Sequence, residues 1–276
     1  MHAYVINLAR SPERRAHITA QLKDARIDWE LVVAVDGRDL DMTDRQTIGA
    51  PAPSARNNES FLPGEVGCAL SHLHVYRRIL ADGLDQALVL EDDVILRADL
   101  PTVLDALPEH LAGSEVALLN FDSVGTCQVS RRGSANLPAA RQLVHPLDIH
   151  QPLSAAAYVI TRETCQRMTE SRLPIRSAAD DWGYFYSEGV LDRLRCVVPP
   201  AVDKTPDFES TMAYHSEKSI KGRVLSLITR HDLRLLQRAV VYRRERIWRR
   251  HLRVEFVDER PTPHPPRLAR PAPPPG

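Results

Sequence analysis

The sequence predicts an α/β fold on a mostly parallel sheet, and three observations carry that expectation. Ala3–Leu8 and Ile27–Val33 are strand-like apolar runs with one helix-like stretch between them. Two strands linked through a single helix form a right-handed crossover and run parallel. The run Gln86-Ala87-Leu88-Val89-Leu90 is too short for a helix core and reads as a third, buried strand. Finally, polar groups stand where these strands stop: Asn7, Asp36 and the trio Glu91-Asp92-Asp93. Ligands of parallel sheets gather at that C-terminal edge, so these residues are expected to act together.

The first strand passes at once into Ser11-Pro12, with Ser as N-cap and Pro at the first helical position. Ile18 and Leu22 share a face of the helix that follows. A strand feeding a helix N-terminus is a natural anion site, because the first amides lack partners. Arg10, Arg14 and Arg15 add positive charge to that turn; solvated first-turn arginines are the competing reading. The second strand closes on Asp36-Gly37, a turn pair. Residues 49–64 carry no periodicity, and a loop of that length is usually functional or disordered.

A helix is expected from Pro63, with Glu65 in its first turn, Val66, Leu70, Leu73 and Leu80 near helical spacing, and Ser71 and His72 upon it. A lone helix histidine is more often packed than chemical. Beyond the acidic trio, Leu100–Leu111 reads as a helix and Val116–Phe121 as a strand ending at Asp122. The polar segment Ser123–Ala140 reads as a mobile loop. Leu153–Ile160 reads as a strand, with Thr161 capping the next helix. Asp180-Asp181-Trp182 opens a short aromatic helix, where carboxylates suit the helix dipole structurally as well as chemically. Leu194–Val198 reads as the last strand.

Three adjacent carboxylates at a strand end repel one another, and burying any of them unpaired is costly. In an extended backbone Glu91 and Asp93 point to the same side. Two oxygen ligands with open positions suit Mg²⁺ or Mn²⁺ holding a phosphate-bearing substrate. A solvated acidic turn is the alternative.

At 276 residues the chain suffices for one large domain, alone or with an appendage, and its formal net charge of zero carries no nucleic-acid signature. Cys68, Cys127, Cys165 and Cys196 are far apart and form no CxxC pair, so nothing in them reads as a zinc site or a disulfide framework, and free core thiols in a reducing compartment are expected. The N-terminus lacks a signal-peptide pattern, and no apolar run approaches a membrane span. The expected location is cytoplasmic. From Lys218 to Arg253 twelve Lys and Arg face only Asp232 and Glu245 among the acids. Val224, Ile228, Leu235 and Ala239 share a helical face beside a stripe of Arg223, Arg230, Arg234 and Arg238. Such a helix can lie peripherally on an anionic membrane, or pack on the core with its arginines in water. The expected units are therefore residues 1–216 as catalytic domain, 217–258 as basic amphipathic helical extension, and 259–276 as a disordered Pro-rich tail.

Four runs, in order, resemble glycosyltransferase family 25, the group of lipooligosaccharide and collagen galactosyltransferases. They are Tyr4-Val5-Ile6-Asn7-Leu8 with Arg10, Arg14 and Arg15; Ala34-Val35-Asp36-Gly37; Gly64–His72; and Leu90–Val94. The resemblance implies a GT-A-type nucleotide-sugar-binding fold with helices on both sheet faces, a UDP-sugar donor, Mn²⁺ or Mg²⁺, and inversion at the transferred sugar. Glu91-Asp92-Asp93 stands where the family keeps its DxD-type motif, which implies Glu91 and Asp93 as metal ligands. Donor contacts are then expected from Asn7, Leu8, Arg10, Arg14, Arg15, Asp36, Glu65, Ser71, His72 and Asp92. His72 or His215 could complete the metal or diphosphate shell. Inversion needs a carboxylate opposite the leaving group to take the acceptor's proton. Asp180 and Asp181 are the candidates, with Asp122 as runner-up, although Ala179 stands where the family often has proline. The implied acceptor is a glycan or glycolipid such as lipooligosaccharide, with galactose as the implied sugar. Two rivals remain. A metal-dependent nucleotidyltransferase would use the same acids, but the first turn lacks a Gly-rich phosphate loop. A non-catalytic relative would keep the fold and bind a partner.

Overall fold

A computed structural model of the chain describes residues 1–53, 55, 60–123, 125–205, 208 and 252–260. It opens with β1 (Ala3–Asn7), α1 (Pro12–Asp24) and β2 (Trp29–Val33), the expected crossover unit, with β1 and β2 parallel. Pro12 starts α1, whose buried face carries Ile18 and Leu22 but also, unusually, Arg14. After β2 the Asp36-Gly37 turn lies directly on the start of α2 (Pro63–Ala81). A Cβ on Gly37 would stand 2.1 Å from the Pro63 carbonyl oxygen, and one on Gly67 2.7 Å from that of Val35. Backbone meets backbone there, and only glycine fits.

The helix delivers the chain into β3 (Gln86–Glu91), whose Ala87, Leu88, Val89 and Leu90 are fully buried. Burial of such side chains stabilises by roughly 1.5–3 kcal/mol for each large aliphatic. Two residues later comes the short β4 (Val94–Leu96), then α3 (Leu100–Ala106). The helix expected to reach Leu111 stops early and tightens into a 3₁₀ turn over Leu107–Glu109, around Pro108, which has no amide to donate.

Then follow β5 (Glu115–Leu118), β6 (Thr126–Leu137), β7 (Arg141–Pro146), β8 (Ala157–Thr161), α4 (Arg162–Ser171), α5 (Trp182–Ser187), β9 (Arg193–Val198), β10 (Val202–Lys204) and β11 (Arg253–Val257). Thr161 caps α4 as expected, its side chain accepting from the Thr164 amide.

The main sheet has the strand order β11-β6-β7-β9-β5-β8-β3-β1-β2. Following the pairings across it, only β8 and β7 run against the rest, so the sheet is mostly parallel, with two reversed strands. Alternate residues of β1 and β3 face opposite ways, as strand geometry requires. Ala3, Val5, Leu88 and Leu90 pack with α1 and α3, whereas Tyr4, Ile6, Ala87 and Val89 pack with α2, α4 and α5. Helices thus cover both faces.

Three further expectations are corrected. Ser123–Ala140 is not a loop: within it β6 pairs antiparallel with β7, broken by a register shift between Ser130 and Ala135. Only Cys127, Val129, Ser130 and Leu137 of that strand are buried, and the irregularity interrupts its alternation. The strand expected from Leu153 begins at Ala157, because Leu153 makes only an isolated bridge with Asp122 and Ser154 holds φ at 118°. Nor is β9 the last strand. Residues 253–257, assigned to the basic helical extension, form β11, which lies parallel to β6 at the sheet edge. The rest of that extension up to residue 251, and the Pro-rich tail from 261, lie outside the described residues. Among the described residues no helix is long and apolar enough to cross a membrane.

Candidate active site

The site forms where β1 and β3 end and β8 begins. The Glu91 amide donates to the Ala156 carbonyl (2.8 Å), which fixes the last position of β3 against the run-in to β8. The chain then turns at Asp92 and Asp93 instead of continuing extended. The same-side argument for Glu91 and Asp93 therefore fails as backbone geometry. What separates the acids is this turn.

Asp92 goes inward. It is 5 % exposed and accepts from Asn7 Nδ2 at 2.7 Å and from Arg14 Nη1 at 2.8 Å. Asn7 also donates to the Ser11 carbonyl at 3.2 Å, and so ties the end of β1 to the start of α1. Asn7, Arg14 and Asp92 thus form a buried knot that holds the acidic turn against the first crossover. Burial keeps the Asp92 carboxyl above its ordinary range although both partners pull it down.

Glu91 and Asp93 remain at the rim, each about a quarter exposed at the side chain. Asp93 is pushed up to about 6, by burial first and by Glu91 second. Arg14 Nη2 lies 3.3 Å from Asp93 and opposes that shift. Burial and Glu91 together outweigh that ion pair, and Arg14 makes its shorter contact with Asp92. For Glu91 burial likewise raises the carboxyl, but the His72 imidazole beside it prevails and holds it below its ordinary range.

A lysine completes the rim. Lys204 Nζ donates to Asp122 at 2.9 Å, and its charge is also felt by Glu91 and Asp93. Desolvation lowers its amine, but Asp122, Glu91 and Asp93 together raise it above its ordinary value, so it is a cation at neutral pH. The register explains its place: β10 pairs antiparallel with β4, Lys204 opposite Val94, and the Thr205 amide donates to the Asp93 carbonyl at 2.9 Å. Nothing local in the sequence around Lys204 signals this, since only the pairing brings it back to the acids.

Behind Glu91 stand two residues of α2. Cys68 and His72 are one helical turn apart, and both reach the end of β3. His72 Nε2 lies 3.5 Å from Glu91 Oε1, while Nδ1 lies 2.7 Å from the Tyr158 hydroxyl of β8. Burial, then Glu91, Asp180 and Asp93, push the Cys68 thiol far up. Tyr158 packs edge-on against Trp182, whose indole donates to the Ser154 carbonyl at 2.9 Å. This contact seats α5 beside the site and brings the preceding acids with it. Asp181 is buried and caps α5, accepting from the Tyr184 amide at 3.4 Å. Asp180 is half-buried and within electrostatic reach of Cys68.

The other expected donor contacts divide by place. Arg10 Nε donates to Asp36 at 2.7 Å and Arg38 Nη2 at 2.6 Å, which holds the Asp36 carboxyl far below its ordinary range, Arg38 contributing most. That cluster lies at the mouth of the first two strands. Leu8 supplies its carbonyl to the Ser11 amide, and Arg15 is exposed on α1. Glu65 accepts from the Leu62 amide at 2.8 Å and closes the start of α2. Ser71 is buried, accepting from the Val35 amide at 2.9 Å and donating to the Gly67 carbonyl at 2.7 Å, so it fastens the turn after β2 to α2. His215 lies outside the described residues.

Chemically, the rim offers two crowded oxygen ligands, a cation beside them and further acids on two sides. The all-oxygen pair Glu91 and Asp93 fits a hard divalent ion, since a cation would offset both the burial and the repulsion that raise Asp93. Residues 1–182, about two thirds of the chain, match the family described as glycosyltransferase family 25 (LPS biosynthesis protein). A Bos taurus protein named probable inactive glycosyltransferase 25 family member 3 is 32% identical over 117 residues, covering 41% of this chain and 20% of its own. The Homo sapiens protein named procollagen galactosyltransferase 2 is 35% identical over 95 residues, covering 33% of this chain and 15% of its own. The chain thus spans a fifth or less of the length of these relatives. The match over residues 1–182 carries the assignment: the chain belongs to glycosyltransferase family 25.

Proposed function

We propose that this chain is a metal-dependent inverting glycosyltransferase that moves a hexose, galactose as our first choice, from a UDP-sugar to a hydroxyl of a surface glycan such as lipooligosaccharide. The observation that carries the reading is the crowding of Glu91 and Asp93 at the C-terminal edge of β3, with Asp93 pushed up to about 6. Carboxyls perturbed by burial and a like charge cluster at functional sites, and a bound cation would offset both effects. Relatives named procollagen galactosyltransferase support the choice of sugar.

Glu91 and Asp93 would hold the Mn²⁺ or Mg²⁺, which when bound neutralises the donor's diphosphate. Lys204 and Arg14 add fixed positive charge where the leaving UDP gains negative charge, and they need no reorientation to do so. Arg10 and Asp36, at the mouth of β1 and β2, are the residues we assign to the nucleoside. We assign Asp180, half-buried just ahead of α5 and within electrostatic reach of Cys68, to take the proton from the acceptor hydroxyl as that oxygen attacks the anomeric carbon and the bond to UDP breaks.

A panel of UDP-sugars with Mn²⁺, read by UDP release, tests the reading. We expect turnover with one sugar, lost in Asp93→Ala while the thermal transition persists. Turnover that survives in purified Asp93→Ala would remove the metal assignment. A second reading has a specific observation behind it: several relatives are named inactive. A chain that binds UDP without turning over any sugar would favour a non-catalytic binding module.

A further inference from the structure

We propose that Cys68, His72 and Glu91 form a binding site for a divalent transition ion of borderline softness, of the Zn²⁺ or Co²⁺ class, separate from the oxygen-only seat of Glu91 and Asp93. One ligand atom from each of the three lies within 4.8 Å of the others, a span one ion can bridge. Cys68 and His72 stand at i and i+4 on α2, which puts both on one helical face, and the end of β3 supplies the carboxylate.

The second observation is independent of that spacing. His72 is 1 % exposed, and its Nε2 has no hydrogen-bond partner among the described residues. Its contact with Glu91, at 3.5 Å, is too long to satisfy it. A buried nitrogen left unsatisfied is destabilising, and native structures rarely retain one without a use. Its other nitrogen is already fixed: Nδ1 lies 2.7 Å from the Tyr158 hydroxyl, which lies 3.0 Å from that of Tyr76. For the ion-bound form we assign the tautomer in which Nδ1–H donates to Tyr158, whose own proton goes to Tyr76, so that Nε2 offers its lone pair on the side where Cys68 and Glu91 stand. In the ion-free form the same nitrogen lies beside the Glu91 carboxylate that it lowers. Metal-bound histidines take this form, with the outer nitrogen donating to a second-layer acceptor.

The donor set separates this site from the rim. Thiolate, imidazole and one carboxylate suit Zn²⁺ and its neighbours, whereas Mg²⁺ and Mn²⁺ prefer oxygen. Binding would release the Cys68 thiol proton to solvent, and three protein ligands leave one tetrahedral position open. Because Glu91 serves both seats, a soft ion here would withdraw it from the donor ion; this consequence rests on the glycosyltransferase reading, whereas ion binding does not.

The test is a titration of the full, untagged, metal-stripped chain with Co²⁺ without nucleotide. Absorption is followed for the near-ultraviolet thiolate-to-cobalt charge-transfer band. We expect the band in the wild type, its loss in Cys68→Ser, its weakening by at least tenfold in apparent affinity in Glu91→Gln, and its persistence in Asp93→Ala. Thermal melts establish that each variant is folded. Absence of the band in the wild type, or its survival in Cys68→Ser, overturns the proposal. Loss of the band in Asp93→Ala would overturn the separation of the two seats. Turnover that fails while the band behaves as expected would count against the donor reading alone.

Discussion

At the scale of single residues, Asp92 and Asp93 are neighbours with opposite fates. Asp92 faces inward onto Asn7 and Arg14, whereas Asp93 stays at the rim and bears the repulsion of Glu91. Asp93 is raised in the folded state from 3.8 to about 6, so its contribution to stability is intact below pH 3.8 and is lost as the pH rises through about 6. We therefore expect metal-free Asp93→Asn to come close to the wild type near pH 4 and to exceed it at pH 7 by on the order of 3 kcal/mol. Thermal melts in chelator across that range check this; equal melting temperatures throughout would contradict the crowding. Saturating Mn²⁺ should raise the melting temperature of the wild type and leave that of the variant unmoved. Asp92→Ala should behave in the opposite way. It takes from the buried guanidinium of Arg14 the nearer of its two carboxylates, a loss on the order of 3 kcal/mol, so the protein should melt early before any selective effect on turnover is seen. Lys204→Ala should keep the fold but slow sugar transfer by about 100-fold, read as UDP release at saturating donor.

At the scale of elements, the first crossover, α2 and β3 are legible in the sequence because each carries its own signal. Pro12 and Pro63 open helices, and an uninterrupted apolar run marks a strand buried on both faces. β6 was hidden because it is half-exposed and irregular: Arg131, Arg132 and Gly133 stand exposed within its span. The site divides in the same way. Glu91 and Asp93 are visible as an acidic stop to an apolar run, and the spacing of Cys68 and His72 was visible as well, though only the end of β3 makes it meaningful. Lys204 could not be found locally, because the β4–β10 pairing that delivers it joins segments more than a hundred residues apart. The Gly37–Gly67 contact tests the seating of α2. Gly67→Ala should destabilise by about 1–3 kcal/mol, since its Cβ would stand 2.7 Å from a backbone oxygen that cannot swing away.

At the scale of the whole molecule, β11 changes how the basic segment must be tested. Cutting the chain ahead of it would remove an edge strand and bare β6, a template for aggregation, so loss of vesicle binding by a truncated chain would mean little. Charge reversal in the full chain avoids this. We expect Arg230→Glu, Arg234→Glu and Arg238→Glu together to abolish co-sedimentation with anionic vesicles while UDP release from the donor persists; unchanged sedimentation would dismiss membrane attachment through residues 218–253.

By itself the sequence determined the α/β class, the crossover at the N-terminus and the acidic edge, since periodicity, proline placement and strand-terminal charges are written in consecutive residues. Only tertiary structure decided which acid is buried and which is presented, and which cation stands beside them. It also decided that a cysteine and a histidine on α2 meet a carboxylate from β3. The physical reason is that burial and Coulomb interaction depend on distances through space, and these follow from strand order and register, which no local stretch encodes.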